Sequence, residues 1–102
     1  MTIRIKAGCE EAYRKHHKVV WPEVLEMIRA CNIANYSIFL KDGWLFSYFE
    51  YIGDDFKSDM AKMAAHAKTR EWWAIMEPMQ EALETRQSGE WWAAMEEVFH
   101  SD

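Results

Sequence analysis

The strongest constraint on the fold is a pair of neighbouring segments rich in aromatic and β-branched residues. They cover residues 35–40 and 44–52 and are joined by Lys41-Asp42-Gly43. Asp-Gly is a preferred pair for two-residue hairpin turns, because both of its residues readily take the positive φ that matches the twist of the flanking strands. The sequence therefore predicts a β-hairpin in the middle of the chain.

A short strand and an interrupted helix are predicted before the hairpin. Residues 2–6 alternate polar and apolar side chains, the period of a half-buried strand. From residue 10 onward a set of side chains recurs at steps of three and four, which predicts an amphipathic helix. These side chains are Tyr13, His17, Val20, Trp21, Val24, Ile28 and Cys31. Because Pro22 cannot donate to the carbonyl of Lys18, we predict a kink or a break over residues 18–22.

Helices and a last strand are predicted after the hairpin. Residues 54–87 are rich in Ala, Met, Lys and Glu, and their pattern fits two short helices split near Lys68 and Thr69, with Pro78 weakening the end of the second. Residues 95–100 are predicted to form the final strand. The resulting order, β-α-β-β-α-β, predicts one α+β domain over residues 1–102 with the ferredoxin-like split βαβ arrangement and an antiparallel sheet.

The hairpin carries more large apolar side chains than one layer of helices can cover. Phe39, Phe46, Tyr48 and Tyr51 cannot all point at the same helices. We therefore expect a second copy of the chain to pack against the sheet, giving a homodimer of the dimeric α/β-barrel type with a ligand cavity beside the sheet.

Composition excludes several classes of partner. The net charge of −5 leaves no basic stripe for a phosphate backbone, so nucleic acid is not an expected partner. No apolar run reaches the roughly 18 residues that span a bilayer, and no signal-peptide pattern opens the chain, so no membrane association is expected. Cys9 and Cys31 lack metal-site or disulfide-framework spacing and are expected to be reduced thiols in the cytoplasm.

One helix face collects side chains capable of chemistry. Tyr13, His17 and Trp21 are spaced i, i+4, i+8, so they stack on one face if the helix continues as far as Trp21. Histidine, with an ordinary pKa near 6.5, both takes and gives protons at neutral pH. Taken alone, His17 is more simply interpreted as a hydrogen-bonded core or surface histidine. The residues around it in the sequence favour a catalytic interpretation instead.

Three blocks of sequence together resemble the L-rhamnose mutarotase family. The first is Tyr13 followed by the run from His17 through Trp21-Pro22-Glu23, and the second is the run from Asn35-Tyr36 to Leu40. The third is Trp72-Trp73-Ala74-Ile75-Met76, and a terminal Glu97-Val98-Phe99 extends the likeness over nearly the whole chain. The resemblance implies the ferredoxin-like fold, a homodimer, and interconversion of the α and β anomers of L-rhamnose or a related 6-deoxy sugar without a metal or organic cofactor.

The resemblance also implies roles for single residues. His17 corresponds to the proton-donating catalytic residue, and Tyr13 and Tyr36 correspond to tyrosines that contact the sugar. Trp72 and Trp73 correspond to the sugar-binding tryptophan pair. The chemistry suits these residue types, because indole faces pack on the C–H patches of a sugar and tyrosine hydroxyls can bond to its hydroxyl groups.

Two other interpretations remain open from the residues. The aromatic pocket with one well-placed histidine would also fit a dimeric binding or oxygenase module for an apolar or haem-like ligand. A purely structural dimer would need no chemistry at all. Trp91 and Trp92 lie outside the sugar-binding block and are predicted to serve packing or a dimer contact.

Overall fold

The predicted hairpin is present in the computed structural model, which describes residues 1–102. Strand β2 (Ile33–Lys41) and strand β3 (Trp44–Tyr51) pair antiparallel, and Lys41 lies opposite Trp44. Asp42 and Gly43 form the turn with φ of 51° and 78°. The Asp-Gly prediction is therefore confirmed in both the place and the conformation of the turn.

Two more strands complete an antiparallel sheet. Strand β1 (Thr2–Ile5) pairs with β3 on one side and with the short strand β4 (Gln80–Glu81) on the other, giving the order β2-β3-β1-β4. The helices are α1 (Glu10–Lys18), α2 (Pro22–Ala30), α3 (Phe56–Ala65) and α4 (Ala67–Met76), with a 3-10 turn at Glu77–Met79. The predicted α+β class with an antiparallel sheet is confirmed.

Both predicted helix interruptions are found. The first helical stretch ends at Lys18 and resumes at Pro22, which occupies the first turn of α2, where a missing N–H costs nothing. The second interruption lies at His66, slightly before the predicted position. His66 takes extended backbone angles, and its ring Nδ1 accepts from the backbone N–H of Thr69 at 3.3 Å. A side-chain cap of this kind begins a new helix.

The last strand is not where the sequence pattern placed it. Residues 95–100 form no strand, and Val98 and Phe99 are 86% and 81% exposed. The sheet edge beside β1 is instead taken by Gln80 and Glu81, opposite Ile5 and Arg4. Ala93 pairs with Thr2 on the same edge, so the chain leaves the sheet before the predicted strand begins.

The core lies between the sheet and the helices. Its main cluster includes Ile3 and Leu45, both 0% exposed, with Tyr13, Val24 and Trp72 from the helices. A second cluster, formed by Cys31, Ile33 and Met63, lies where α2 runs into β2 and α3 crosses it. None of the helices is both long and apolar enough to cross a membrane.

Candidate functional site

A cavity of about 750 Å³ lies between the helices and the sheet. Most of its lining residues are apolar, and they come from α1, α2, β2, β3, α3 and α4. All five predicted site residues, Tyr13, His17, Tyr36, Trp72 and Trp73, line this one cavity. The fold thus brings together side chains that are up to 60 positions apart in the sequence.

Tyr13 forms part of the cavity wall from the middle of α1. The residue is only 4% exposed, and its hydroxyl accepts a hydrogen bond from Nε2 of Gln80 at 3.2 Å. Burial raises the pKa of Tyr13 to about 12, against a smaller lowering by the Gln80 bond and a further increase from nearby Tyr36. The hydroxyl therefore stays protonated at every physiological pH.

His17 lies one turn after Tyr13, half-buried, with the two rings stacked at 4.2 Å and 28°. Its Nδ1 is 2.8 Å from the carbonyl oxygen of Tyr13. Because a carbonyl only accepts, Nδ1 carries the hydrogen, and Nε2 of the neutral ring keeps a free lone pair. Burial lowers the pKa of His17, the Tyr13 carbonyl partly offsets this, and the charge of His16 lowers it further. The ring is therefore mainly neutral at pH 7, with Nε2 ready to take a proton.

The tryptophan pair on α4 is divided between core and cavity. Trp72 is 6% exposed and meets the ring of His17 edge to face at 5.5 Å, a contact that helps to hold the imidazole in place. Trp73 is 38% exposed. Trp72 therefore serves packing and the site together, whereas Trp73 offers an indole surface that the protein leaves open.

Tyr36 reaches the cavity from β2. It lies at an irregular point of the hairpin, where the register shifts between Ala34 and Ser37 and Asn35 has a φ of 50°. Its ring contacts Phe49 at 5.7 Å, and burial raises the pKa of its hydroxyl although 39% of the residue is exposed. The bulge re-aims a side chain at a sheet edge, as bulges near binding sites commonly do.

Trp21 does not continue the face formed by Tyr13 and His17. The helix breaks before it, and Trp21 becomes the residue that precedes α2. Its indole packs edge to face on Trp72 at 5.3 Å and does not line the cavity. Trp21 is thus a packing residue behind the tryptophan pair.

Several polar residues at the site were not among the predicted site residues. Arg14, Arg29, Asn35 and Thr69 line the cavity, and Gln80 holds the Tyr13 hydroxyl from the short strand β4. Gln80 is 67 positions from Tyr13, and neither composition nor periodicity marks it. Nowhere does the chain bring together three His, Cys, Asp or Glu side chains that could hold a metal ion.

The fold and the cavity define a small α+β protein whose mostly apolar pocket has a histidine with a free ring nitrogen on its wall. Comparison with known proteins gives this class a family. A family model described as L-rhamnose mutarotase matches residues 1–101. The chain therefore belongs to the L-rhamnose mutarotase family, as the three sequence blocks predicted.

Individual relatives agree with the family match. The chain is similar to an L-rhamnose mutarotase of Flavobacterium johnsoniae, 31% identical over 103 aligned positions that cover 99% of this chain and 92% of the relative. It is also similar to an L-rhamnose mutarotase of Listeria monocytogenes, 38% identical over 77 residues that cover 74% of this chain and 71% of the relative. The predicted enzyme class, a sugar mutarotase, is confirmed, and the binding or oxygenase module is not favoured.

A solved structure supports the fold independently. The crystal structure of L-rhamnose mutarotase FA22100 from Formosa agariphila is similar to this chain with a TM-score of 0.73. The likeness covers 99% of this chain and 94% of the other at 21% identity. At that identity the likeness concerns the fold, which agrees with the sheet and helices described above.

Proposed function

We propose that this enzyme interconverts the α and β anomers of L-rhamnose in the cavity between α1, α4 and β2, with His17 as the proton carrier. The observation that carries the proposal is the state of His17. Its ring is held between Tyr13 and Trp72, its Nδ1 is fixed by a backbone carbonyl, and its Nε2 is free. A neutral imidazole placed this way is suited to general acid and base catalysis.

The reaction needs protons to move but no other group to be transferred. Nε2 of His17 takes the proton of the anomeric hydroxyl while the bond between C1 and the ring oxygen breaks. A water molecule protonates the ring oxygen and is left as hydroxide, which takes that proton back when the ring closes. The open aldehyde then rotates about its bond to C2, and the ring closes on the other face of the carbonyl with the reverse proton movements. His17 returns its proton to the new anomeric oxygen, so it accepts in one half-reaction and donates in the other.

The other predicted residues bind and orient the sugar. Tyr13 and Tyr36 offer hydroxyl groups, and since both pKa values are raised they act as hydrogen-bond partners and do not carry protons. The open indole of Trp73, with the edge of Trp72 beside it, provides an apolar surface for the C–H groups and the C6 methyl of a 6-deoxy sugar. Burying one such methyl group contributes about 0.8 kcal/mol.

The proposal is tested by NMR saturation exchange between the two anomers of L-rhamnose. The wild-type protein should accelerate the exchange, and His17→Ala should reduce the acceleration by about 10²- to 10⁴-fold, the usual contribution of a positioned acid and base. His100→Ala is the matched control, because His100 is an exposed histidine that does not line the cavity. Full activity in His17→Ala, or no acceleration by the wild type, would overturn the proposal.

The finer features of the fold belong to the same proposal. The strand order β2-β3-β1-β4, antiparallel throughout, supports the ferredoxin-like arrangement.

The sheet face away from the helices carries Phe39 and Tyr48, which are 60% and 55% exposed. Beside them lie Phe46 and the Arg4 guanidinium, which stacks on Trp44. An aromatic patch of this kind supports a homodimer formed sheet to sheet. Sedimentation should give a dimer that Phe39→Glu dissociates, and a wild-type monomer would exclude it.

The location is proposed on the cysteines. Cys9 and Cys31 are both unpaired, and Cys31 is buried in the second cluster. Free thiols in this setting support a reducing compartment, the cytoplasm.

A further inference from the structure

Three side chains from distant parts of the sequence form one hydrogen-bonded chain that ends in the cavity. The indole Nε1 of Trp91 is 2.8 Å from Oε1 of Gln80, and Nε2 of Gln80 is 3.2 Å from the hydroxyl oxygen of Tyr13. Gln80 and Tyr13 are each 4% exposed and Trp91 is 39% exposed, so the chain runs from the surface into the protein interior. Trp91 and Gln80 do not line the cavity themselves.

The direction of this chain is fixed by its outer end. An indole N–H can only donate, so the Gln80 atom that faces Trp91 has to be the amide oxygen. The amide NH₂ then faces Tyr13, and the Tyr13 hydroxyl accepts from it. Without Trp91 the amide could turn over, because its oxygen and nitrogen have nearly the same shape.

This direction leaves the Tyr13 hydroxyl with a free proton to donate. One of its lone pairs is occupied by Gln80, and its own proton has no acceptor in the protein. We propose that Gln80 and Trp91 are positioning residues that keep Tyr13 a hydrogen-bond donor to a hydroxyl or ring oxygen of the bound sugar. This inference rests on the proposed function, because the sugar is the acceptor.

The segment that carries Trp91 is anchored well enough to serve this purpose. Ala93 and Thr2 exchange two backbone hydrogen bonds, of 2.8 and 2.9 Å, which join the segment to the edge of β1. The carboxylate of Glu90 accepts from the backbone N–H groups of Gln87 and Ala94 at 2.8 and 3.1 Å. Residues 90–94 are thus tied to the sheet edge that also carries Gln80, which fixes the position of Trp91.

The first test compares Trp91→Phe with Trp92→Phe by anomer exchange at varied L-rhamnose concentration. Phenylalanine keeps most of the ring but removes the N–H, so Trp91→Phe should raise KM by between about 2- and 12-fold, the worth of one hydrogen bond, with kcat little changed. Trp92 packs on the main cluster and makes no side-chain hydrogen bond, so Trp92→Phe should leave KM within about 2-fold of wild type. An unchanged KM in Trp91→Phe, or an equal rise in both variants, would overturn the inference.

The second test reverses the polarity of the middle residue. In Gln80→Glu the carboxylate still accepts from Trp91 but now also accepts the Tyr13 proton, so the sugar loses its donor. The ratio of the KM of Gln80→Glu to the KM of the wild type should be above 1 at neutral pH. This ratio should return toward 1 as the pH falls, because the carboxyl then takes up a proton that it can donate to Tyr13. A purely structural role predicts a ratio that does not change with pH, and that result would contradict the inference even if Trp91→Phe failed to fold.

A measurement without sugar separates this inference from the proposed function. The indole N–H resonance of Trp91 in a ¹⁵N-correlated spectrum should shift in Gln80→Leu while that of Trp92 stays in place. If the wild type does not act on L-rhamnose but this shift is seen, the proposed function fails while the hydrogen-bonded chain is real. If the wild type is active and the shift is missing, only the positioning role fails.

Discussion

In both Tyr13 and Tyr51 the pKa is raised to about 12, but the hydrogen bonds of the two hydroxyls differ. The hydroxyl of Tyr51 donates to the carboxylate of Asp59 at 2.6 Å and accepts from the backbone N–H of Asp55 at 2.9 Å. The hydroxyl of Tyr13 accepts from Gln80 alone. The proton of Tyr51 is therefore hydrogen-bonded within the protein, whereas the proton of Tyr13 has no acceptor in the protein.

The surroundings of the two residues explain this difference. Tyr51 and Asn32 both bond to one oxygen of Asp59, and the ammonium of Lys62 lies 3.6 Å from the other oxygen. This network joins the end of α2, the end of β3 and the start of α3, so its bonds hold the fold together. The raised pKa alone does not separate the two tyrosines, and we propose a role in ligand binding only for Tyr13, whose hydroxyl has an unused donor.

The largest expected effect is the loss of activity in acid. Because burial lowers the pKa of His17 below 6.5, Nε2 is free down to that lowered pKa and becomes protonated below it. Below the lowered pKa of His17, kcat/KM should fall by about tenfold per pH unit, because the protonated ring cannot accept the sugar proton. The hydroxyls of Tyr13 and Tyr51, with pKa near 12, should give no alkaline limb below about pH 10.

The Tyr51 network should respond at a different pH. The hydrogen bonds from Tyr51 and Asn32 lower the pKa of Asp59 below 3.8. The network therefore stabilises the fold fully above pH 3.8, and this stabilisation is lost as the pH falls through the lowered pKa of Asp59. Circular dichroism at each pH of the activity profile should therefore show a folded protein while kcat/KM declines. Activity that stays constant down to the pH at which circular dichroism shows unfolding would contradict the assignment of His17.

A smaller effect is expected for Tyr13→Phe. Removing the free donor should lower kcat/KM by about 10-fold, because the sugar loses one hydrogen bond in a buried site. The midpoint of thermal unfolding should also fall, since the buried amide N–H of Gln80 loses its acceptor. Anomer exchange and calorimetry on the same sample measure the two quantities. Activity equal to wild type would mean that the proton of Tyr13 is not used.

The smallest effect on activity is expected for Tyr51→Phe. This change removes a donor from Asp59 and an acceptor from the N–H of Asp55, so the midpoint of thermal unfolding should fall. Activity below that midpoint should stay within about 2-fold of wild type, because Tyr51 does not line the cavity. The contrast between the two tyrosines fails if Tyr51→Phe loses activity while its stability is kept.

Local chemistry explains which parts of the fold could be predicted. The Asp42-Gly43 turn and the break before Pro22 depend on backbone preferences that act over a few residues, so the sequence alone indicates them. Strand β4 has two residues and no apolar alternation, and it exists because Ile5 and Arg4 offer an open edge. A strand that forms only because a partner strand is available cannot be predicted from the periodicity of its own residues.

The site divides in the same way. The spacing of Tyr13 and His17 on one helix is a local property, and the resemblance to the family supplied Tyr36, Trp72 and Trp73, which the fold then brings to the same cavity. The hydrogen on Nδ1 of His17 and the contact of Gln80 with Tyr13 depend on three-dimensional neighbours. No sequence pattern carries that information, so the protonation states and the positioning residues become visible only in the structure.

The central claim is that the free Nε2 of His17 and the free proton of Tyr13 meet the same sugar. A crystal structure of the protein soaked with L-rhamnose tests it most directly. We expect the sugar in the cavity with its anomeric or ring oxygen about 3 Å from Nε2 of His17 and an oxygen at the same distance from the Tyr13 hydroxyl. Sugar bound elsewhere on the protein, or bound in the cavity with His17 beyond hydrogen-bond reach, would contradict the account.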